Sequence, residues 1–322
     1  MIPIASVRSS NEGIRAFIPG ITALFVGGTT GIGQSTLHQL ALRAKRPNAY
    51  IIGRSESKAA PFLAELRKLN PEGTFNFIET DVSLIRNVDA ACEYITNREQ
   101  RESLFALRYY ARMRFIQNLL PLLEPASSTL ARVVSIFGGG LESRINKDDL
   151  DLKRTYSVLN CARHAITMTS LSMEHLALAH RSVSFLHVYP WLVGTNIYNN
   201  SFPPPISHVF NYLVWPLFLR PFAVDLRESG ERHLFHSTSS RYPSRDKDGG
   251  DPTKGQGVPL PESELEGFAV GSDGEVGSGA YLVNWKGEGK VGNQIMQQYR
   301  AQGMSEYVWG HTTDILNAAV RG

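Results

Sequence analysis

The apolar stretch Leu24-Phe25-Val26 runs straight into Gly27-Gly28-Thr29-Thr30-Gly31-Ile32-Gly33, and a helical pattern follows from Gln34 to Lys45. A strand that turns through glycines into a helix is the opening of a dinucleotide-binding fold. The first glycine makes the tight turn, the second admits a pyrophosphate close to the backbone, and the third lets the helix pack on the strand. Amides at the helix start then face the phosphates. An ordinary strand-to-helix loop carries similar glycines, so the reading depends on the rest of the chain.

Beyond Lys45, strand and helix signals alternate. Ala49 to Ile52 reads as a strand, Ser57 to Asn70 as a helix closed by Pro71-Glu72-Gly73, Thr74 to Ile78 as a strand and Leu84 to Thr96 as a helix. Further on come a long helical pattern from Ser157 to His180, a strand from Val183 to His187, a last strand from Gly279 to Asn284 and a closing helix from Met304 to Val320. This order predicts a parallel sheet with helices on both faces. With 322 residues and 42% hydrophobic content, the chain reads as one domain, 1–322, with a sizeable core. The stretch of about 240–264 is rich in Pro, Gly and charge and is expected to be an exposed loop. Within about 200–235, His208 to Phe222 is apolar and aromatic. It is too short to span a bilayer and reads either as a lid over an apolar substrate or as a cover for the core.

Charge and cysteine usage exclude other classes. The net charge of +3 is dispersed, which gives no nucleic-acid footprint. Cys92 and Cys161 form neither a metal spacing nor a disulfide framework, as expected in a reducing compartment. No metal site is predicted. Ile14 to Val26 is broken by Pro19-Gly20 and lacks a signal pattern, so the expectation is a soluble, cytoplasmic protein. Arg98, Arg101, Arg108 and Arg112 share roughly one helical face and read as a solvated surface.

The end of the second strand selects the cofactor. A carboxylate there holds the adenine ribose 2′-hydroxyl of NAD, whereas an arginine accommodates the 2′-phosphate of NADP. This chain has Gly53 then Arg54, with no carboxylate before Glu56, and guanidinium offers phosphate a fixed fork of donors. The expected cofactor is NADP(H).

Spacing Gly27-x-x-x-Gly31-Ile32-Gly33 resembles the cofactor loop of short-chain dehydrogenases/reductases, and four more segments agree in order from about residue 20 to 200. They are Tyr50-Ile51-Ile52-Gly53-Arg54-Ser55, Asp81-Val82, Pro121-Leu122-Leu123 with Arg132-Val133-Val134-Ser135-Ile136, and Pro190-Trp191-Leu192-Val193-Gly194-Thr195. The last is similar to the family's PGxVxT loop, with Trp191 in place of its glycine. The resemblance implies a Rossmann-type doubly wound parallel sheet. It also implies that Gly27, Thr29, Thr30, Gly31, Ile32 and Gly33 cradle the pyrophosphate, that Asp81 contacts the adenine, and that Val193 and Thr195 seat the nicotinamide amide. The reaction implied is ketone reduction, or alcohol oxidation, on an apolar small molecule in fungal secondary metabolism, with room for a homo-oligomer.

Three departures qualify this. Tyr156 stands where the family has its acid, but the lysine four residues later is replaced by Asn160, which has no charge to stabilise a phenolate. Arg163 or His164, about one turn on, is the candidate substitute cation. The catalytic hydroxyl is displaced too: its places are filled by Phe137 and Gly138, which leaves Ser135 on the strand and Ser143 in the loop as candidates. Finally, the family's fourth strand and its NNAG-like turn, on the order of 25 residues by the usual size of such a unit, have no counterpart between Thr96 and Leu104. Either the sheet closes around the gap, or this is the shortened product of a gene whose full form is active. A nucleotide-binding or interaction protein that has lost catalysis is the competing class.

Overall fold

The computed structural model describes residues 1–82, 87–88, 105–125, 129–195, 219–246, 256–259 and 267–321. The chain divides into two compact units. One comprises Ile2–Glu79 and Pro190–Thr238; the other comprises Met1, Thr80–Tyr189 and Ser239–Gly322.

In the first unit, β1 (Thr22–Val26), β2 (Asn48–Gly53) and β3 (Thr74–Glu79) form a parallel sheet in the order β1-β2-β3. The register places Val26 beside Ile52 and Gly53 beside Glu79. β2 lies in the middle, and its β-branched Ile51 and Ile52 are fully buried, each contributing about 1.5–3 kcal/mol. Among the described residues its helices are α1 (Ile4–Phe17), α2 (Gly31–Arg43), α3 (Glu56–Leu69) and α6 (Leu226–Thr238). α3 starts where the Ser55 hydroxyl accepts the Lys58 amide, a cap that leaves one fewer orphan donor at the helix end.

A charge cluster ties these helices together. Glu231 of α6 is completely buried, and its carboxylate meets Arg8 Nε of α1 at 2.9 Å, Arg227 Nε at 3.5 Å and Arg43 Nη2 of α2 at 3.6 Å. Asn11 Nδ2 adds a bond to the Glu231 carbonyl at 2.8 Å. Removing one partner of a buried pair leaves the other uncompensated, at a cost of about 3 kcal/mol. Glu231→Gln is therefore expected to lower the melting temperature by roughly 6–10 °C, measured by circular dichroism. A shift of less than a degree or two would mean that Glu12, which also meets Arg43 Nε at 3.2 Å, suffices alone.

In the second unit the sheet order is β4 (Arg132–Ile136), β5 (Ser184–Tyr189), β6 (Ala280–Asn284) and β7 (Gly289–Lys290), parallel except for the last pair. α5 (Val158–Ala179) is the core helix, opened by the Ser157 hydroxyl accepting the Asn160 amide at 3.1 Å. Its buried Cys161, Ala165, Met168 and Leu171 pack with Met113, Ile116 and Leu120 of α4 (Ala111–Leu123). α7 (Gln294–Ala301) and α8 (Met304–Arg321) complete this core, with Met304, Val308 and Leu316 buried in it. A π turn, Ala106–Tyr110, leads into α4. Its Tyr109 hydroxyl lies 2.7 Å from Ser172 Oγ and 2.6 Å from Thr312 Oγ1, and burial pushes its pKa up to about 12.

This is the α/β, Rossmann-type architecture with a rearranged sheet. Among the described residues β1 pairs only with β2 and β4 only with β5, and no strand lies between β3 and β4. The expected helix from Leu84 to Thr96 and the gap before Leu104 lie largely outside the described residues, as do residues 208–218 of the apolar segment. Among the described residues no helix is long and apolar enough to cross a membrane. The exposed-loop expectation needs correcting at its start: Ser240 to Ser244 are buried, because Tyr242 packs edge-on against Tyr281 and donates its hydroxyl to the Gly287 carbonyl at 2.8 Å.

Candidate active site

The glycine turn leaves β1 and enters α2 with little space to spare. A Cβ on Gly33 would come within 2.6 Å of the Gly27 carbonyl, so only glycine permits this approach of turn and helix. α2 has no side-chain cap: Thr30 precedes it in extended conformation and accepts Gln34 N at 3.3 Å through its carbonyl, while its hydroxyl accepts no amide of the helix. Its first amides are thereby left for a ligand, the arrangement that suits a pyrophosphate. Other sequence-predicted residues gather at the same turn. Cβ positions built on Gly31 and Gly53 lie 3.1 Å from the side chains of Thr195 and Thr29 respectively. Thr195 N donates to the Val193 carbonyl at 2.8 Å, and Val193 is buried in a parallel bridge to Val224.

Trp191, in place of the family's glycine, has φ +62. That left-handed conformation costs an ordinary L-residue about 1–2 kcal/mol, so the position still has a glycine's geometry. The indole Nε1 donates to the Phe222 carbonyl at 3.0 Å, which helps to hold it there. Arg54 is exposed at the end of β2 and makes no ion pair among the described residues. The nearest strand-end carboxylate, Glu79, is engaged by the Glu56 amide at 2.7 Å. These residues fit a dinucleotide with a 2′-phosphate. Asp81 is exposed, and its carbonyl accepts Asn87 Nδ2 at 2.8 Å.

The sequence-predicted catalytic residues belong to the second unit. Tyr156 is 51% exposed and immediately precedes the Ser157 cap of α5. The turn before it is held by Asp149, whose carboxylate accepts Thr155 Oγ1 at 2.7 Å, Thr155 N at 2.8 Å and Arg154 N at 3.2 Å. These bonds, the Thr155 hydroxyl foremost, keep the Asp149 pKa below the ordinary carboxylate value. Asn160 closes the same turn by donating Nδ2 to the Thr155 carbonyl at 2.8 Å. The lysine position thus serves the backbone next to Tyr156.

Two expectations are revised here. His164 is not the substitute cation: it is buried, its Nε2 accepts the Asn146 amide at 3.1 Å, and burial lowers its pKa. Arg112 is not part of a solvated face. It is half-buried and donates from Nη1 to Ser135 Oγ at 2.9 Å and to the Ile136 carbonyl at 3.3 Å, with its guanidinium 5.4 Å from the Phe137 ring centre. Burial, and then the like charge of Arg108, pulls its pKa down to about 10. Arg163 is exposed, and Arg98 and Arg101 lie outside the described residues. Ser135 is therefore buried against a cation, while the Ser143 hydroxyl oxygen is buried with no partner among the described residues.

Sequence reading missed Arg112, Glu142, Ser170 and His187, which meet around the end of β4. The available signal was a histidine inside the otherwise apolar run Phe185-Leu186-His187-Val188, because a buried polar group must find partners.

No family model matches the chain. It is 56% identical to "Oxidoreductase AN1596" of Emericella nidulans, over 99% of each chain. It is 37% identical to "Oxidoreductase andH" of Emericella variicolor, over 97% of this chain and 96% of the relative. "Short-chain dehydrogenase/reductase SAT2" of Stachybotrys chartarum is 26% identical over 92% of each. The chain belongs to the short-chain dehydrogenase/reductase family and is an oxidoreductase by descent. The alignment to the Emericella nidulans protein runs over 343 positions yet uses 99% of these 322 residues, so roughly two dozen of its positions face no residue here.

Proposed function

We propose that this protein is an NADP(H)-dependent ketone reductase or alcohol dehydrogenase, cytoplasmic, acting on an apolar small molecule in secondary metabolism. The observation that supports it most directly is the assembly of the glycine turn, the β2 end and Thr195 in one place, with exposed Arg54 beside it. A bound nicotinamide would supply hydride to the carbonyl carbon. Gly27, Thr29, Thr30, Gly31, Ile32 and Gly33 would hold its pyrophosphate, Arg54 its 2′-phosphate, Asp81 its adenine, and Val193 and Thr195 its amide. Tyr156 would protonate the alkoxide, with Asn160 and Asp149 fixing the turn that presents it.

Arg54 provides the test. Arg54→Ala is expected to weaken NADPH binding about 30-fold or more, the loss of one charge-assisted phosphate contact of about 2 kcal/mol, while NADH binding changes little. Fluorescence titration measures both. Equal losses, or tighter binding of NADH by the unmodified protein, would remove the NADP assignment.

One observation favours a second reading, a nucleotide-binding protein without turnover. The lysine position is given over to the Thr155 carbonyl through Asn160, which leaves no cation at that place. Tight NADPH binding with no consumption across a panel of ketones would select that reading.

A further inference from the structure

Among the described residues, each backbone donor from Phe137 to Leu141 has a partner except one. Phe137 N donates to the Val188 carbonyl at 2.8 Å, Gly138 N to His187 Nε2 at 3.1 Å, Gly140 N to Glu142 Oε1 at 2.8 Å, and Leu141 N to the Gly138 carbonyl at 3.0 Å. Gly139 is buried, and its N–H has no acceptor among the described residues. Buried orphan amides are rare, because desolvating a donor without replacing its bond is costly.

The orphan is also held in place. A Cβ on Gly139 would sit 2.0 Å from the His187 carbonyl, so the glycine lies directly on β5. The amides on either side are fixed by a chain of buried side chains whose proton positions follow from its ends. Since Gly138 N–H donates to His187 Nε2, the ring proton is on Nδ1. It donates to Ser170 Oγ at 2.8 Å, and Ser170 donates in turn to Glu142 Oε1 at 2.7 Å. Burial keeps His187 neutral down to about 3, which preserves this tautomer. The turn spends two buried side chains on two amides and leaves the one between them unused.

We propose that the Gly139 N–H is the hydrogen-bond donor to the substrate carbonyl oxygen, in place of the hydroxyl missing at Phe137 and Gly138, with Glu142, Ser170 and His187 as positioning residues. The proposal rests on the reductase reading. A bound reduced nicotinamide would supply the hydride that adds to the carbonyl carbon and would become oxidised; as the carbonyl π pair moves to oxygen, that oxygen would take the Tyr156 proton, and solvent would reprotonate Tyr156. Gly139 transfers nothing. Its donor strengthens as charge grows on the oxygen, which is what lowers a barrier.

Side-chain substitution at 139 would collide with β5, so the test exchanges the amide for an ester, with glycolic acid replacing Gly139 by in vitro translation. Loss of one such donor is expected to lower kcat about 100-fold. NADPH affinity should be unchanged, and melting lowered by no more than a weakened Gly138 carbonyl costs its bond to Leu141. A large fall in melting temperature, as for a structural bond, or an unchanged kcat would overturn the proposal. Ser170→Ala should lower kcat with little change in KM, since it loosens the flanking amides. If the unmodified protein reduces no ketone, the reductase reading fails separately. The amide resonance of Gly139 then decides: a downfield shift on adding cyclohexanone with NADP supports the donor, and no shift refutes it.

Discussion

Tyr156→Phe is expected to lower ketone reduction by about 100-fold or more, the usual contribution of a positioned acid, and to leave NADPH affinity nearly unchanged. The phenol is needed when the alkoxide forms, so its loss falls on kcat rather than on cofactor binding. The half-exposed ring is presented by a turn with three bonds to Asp149 and one from Asn160. Asn160→Lys should raise kcat above the parent by adding a cation in the first turn of the helix that follows the tyrosine, despite breaking the bond to the Thr155 carbonyl. Stopped-flow and steady-state NADPH absorbance would measure both variants. Survival of activity in Tyr156→Phe would assign the chemistry elsewhere, and a fall in Asn160→Lys would show that the turn matters more than the missing charge.

The fold was legible in the sequence where one residue type has one physical use. Gly33 has to be glycine because the turn passes 2.6 Å from where its Cβ would be, and the buried β2 and β5 are short apolar runs with the lengths of strands. α1 was missed because its buried face is half polar: Ser6, Ser10 and Asn11 lie beside Val7 and Ile14, so the apolar period is incomplete. α6 was missed for a related reason, since Glu231, Arg232 and His233 are buried charged or polar groups that read as surface. Their partners come from other helices, and such pairings are not visible in local sequence. The same holds at the candidate site. Tyr156 was a candidate through the resemblance of its place to the family's acid, whereas the contacts of Arg112 and His187 depend on which strand end each meets. Gly139 was hidden further, since what distinguishes it is the absence of a bond.

The largest change in the molecule as a whole should come from restoring the strand. Inserting a strand-plus-turn segment of about 25 residues after Thr96 is expected to raise the melting temperature by roughly 10 °C and tighten NADPH binding about tenfold. The reason lies in two edges. β1 and β4 each pair on one side only among the described residues, and β1 ends in Val26 with 46% of its surface exposed, whereas β5, paired on both sides, is buried along nearly its whole length. A strand added along either edge would satisfy that edge's backbone groups and cover its apolar side chains, each contributing about 1.5–3 kcal/mol before ordering costs are met. Family resemblance puts the turn after that strand beside the nicotinamide, hence the gain in affinity. Calorimetry and fluorescence titration on the two forms side by side would decide. If the unmodified chain melts in one cooperative transition at the same temperature as the lengthened form and binds NADPH as tightly, then the edges of β1 and β4 need no added strand and the expectation fails.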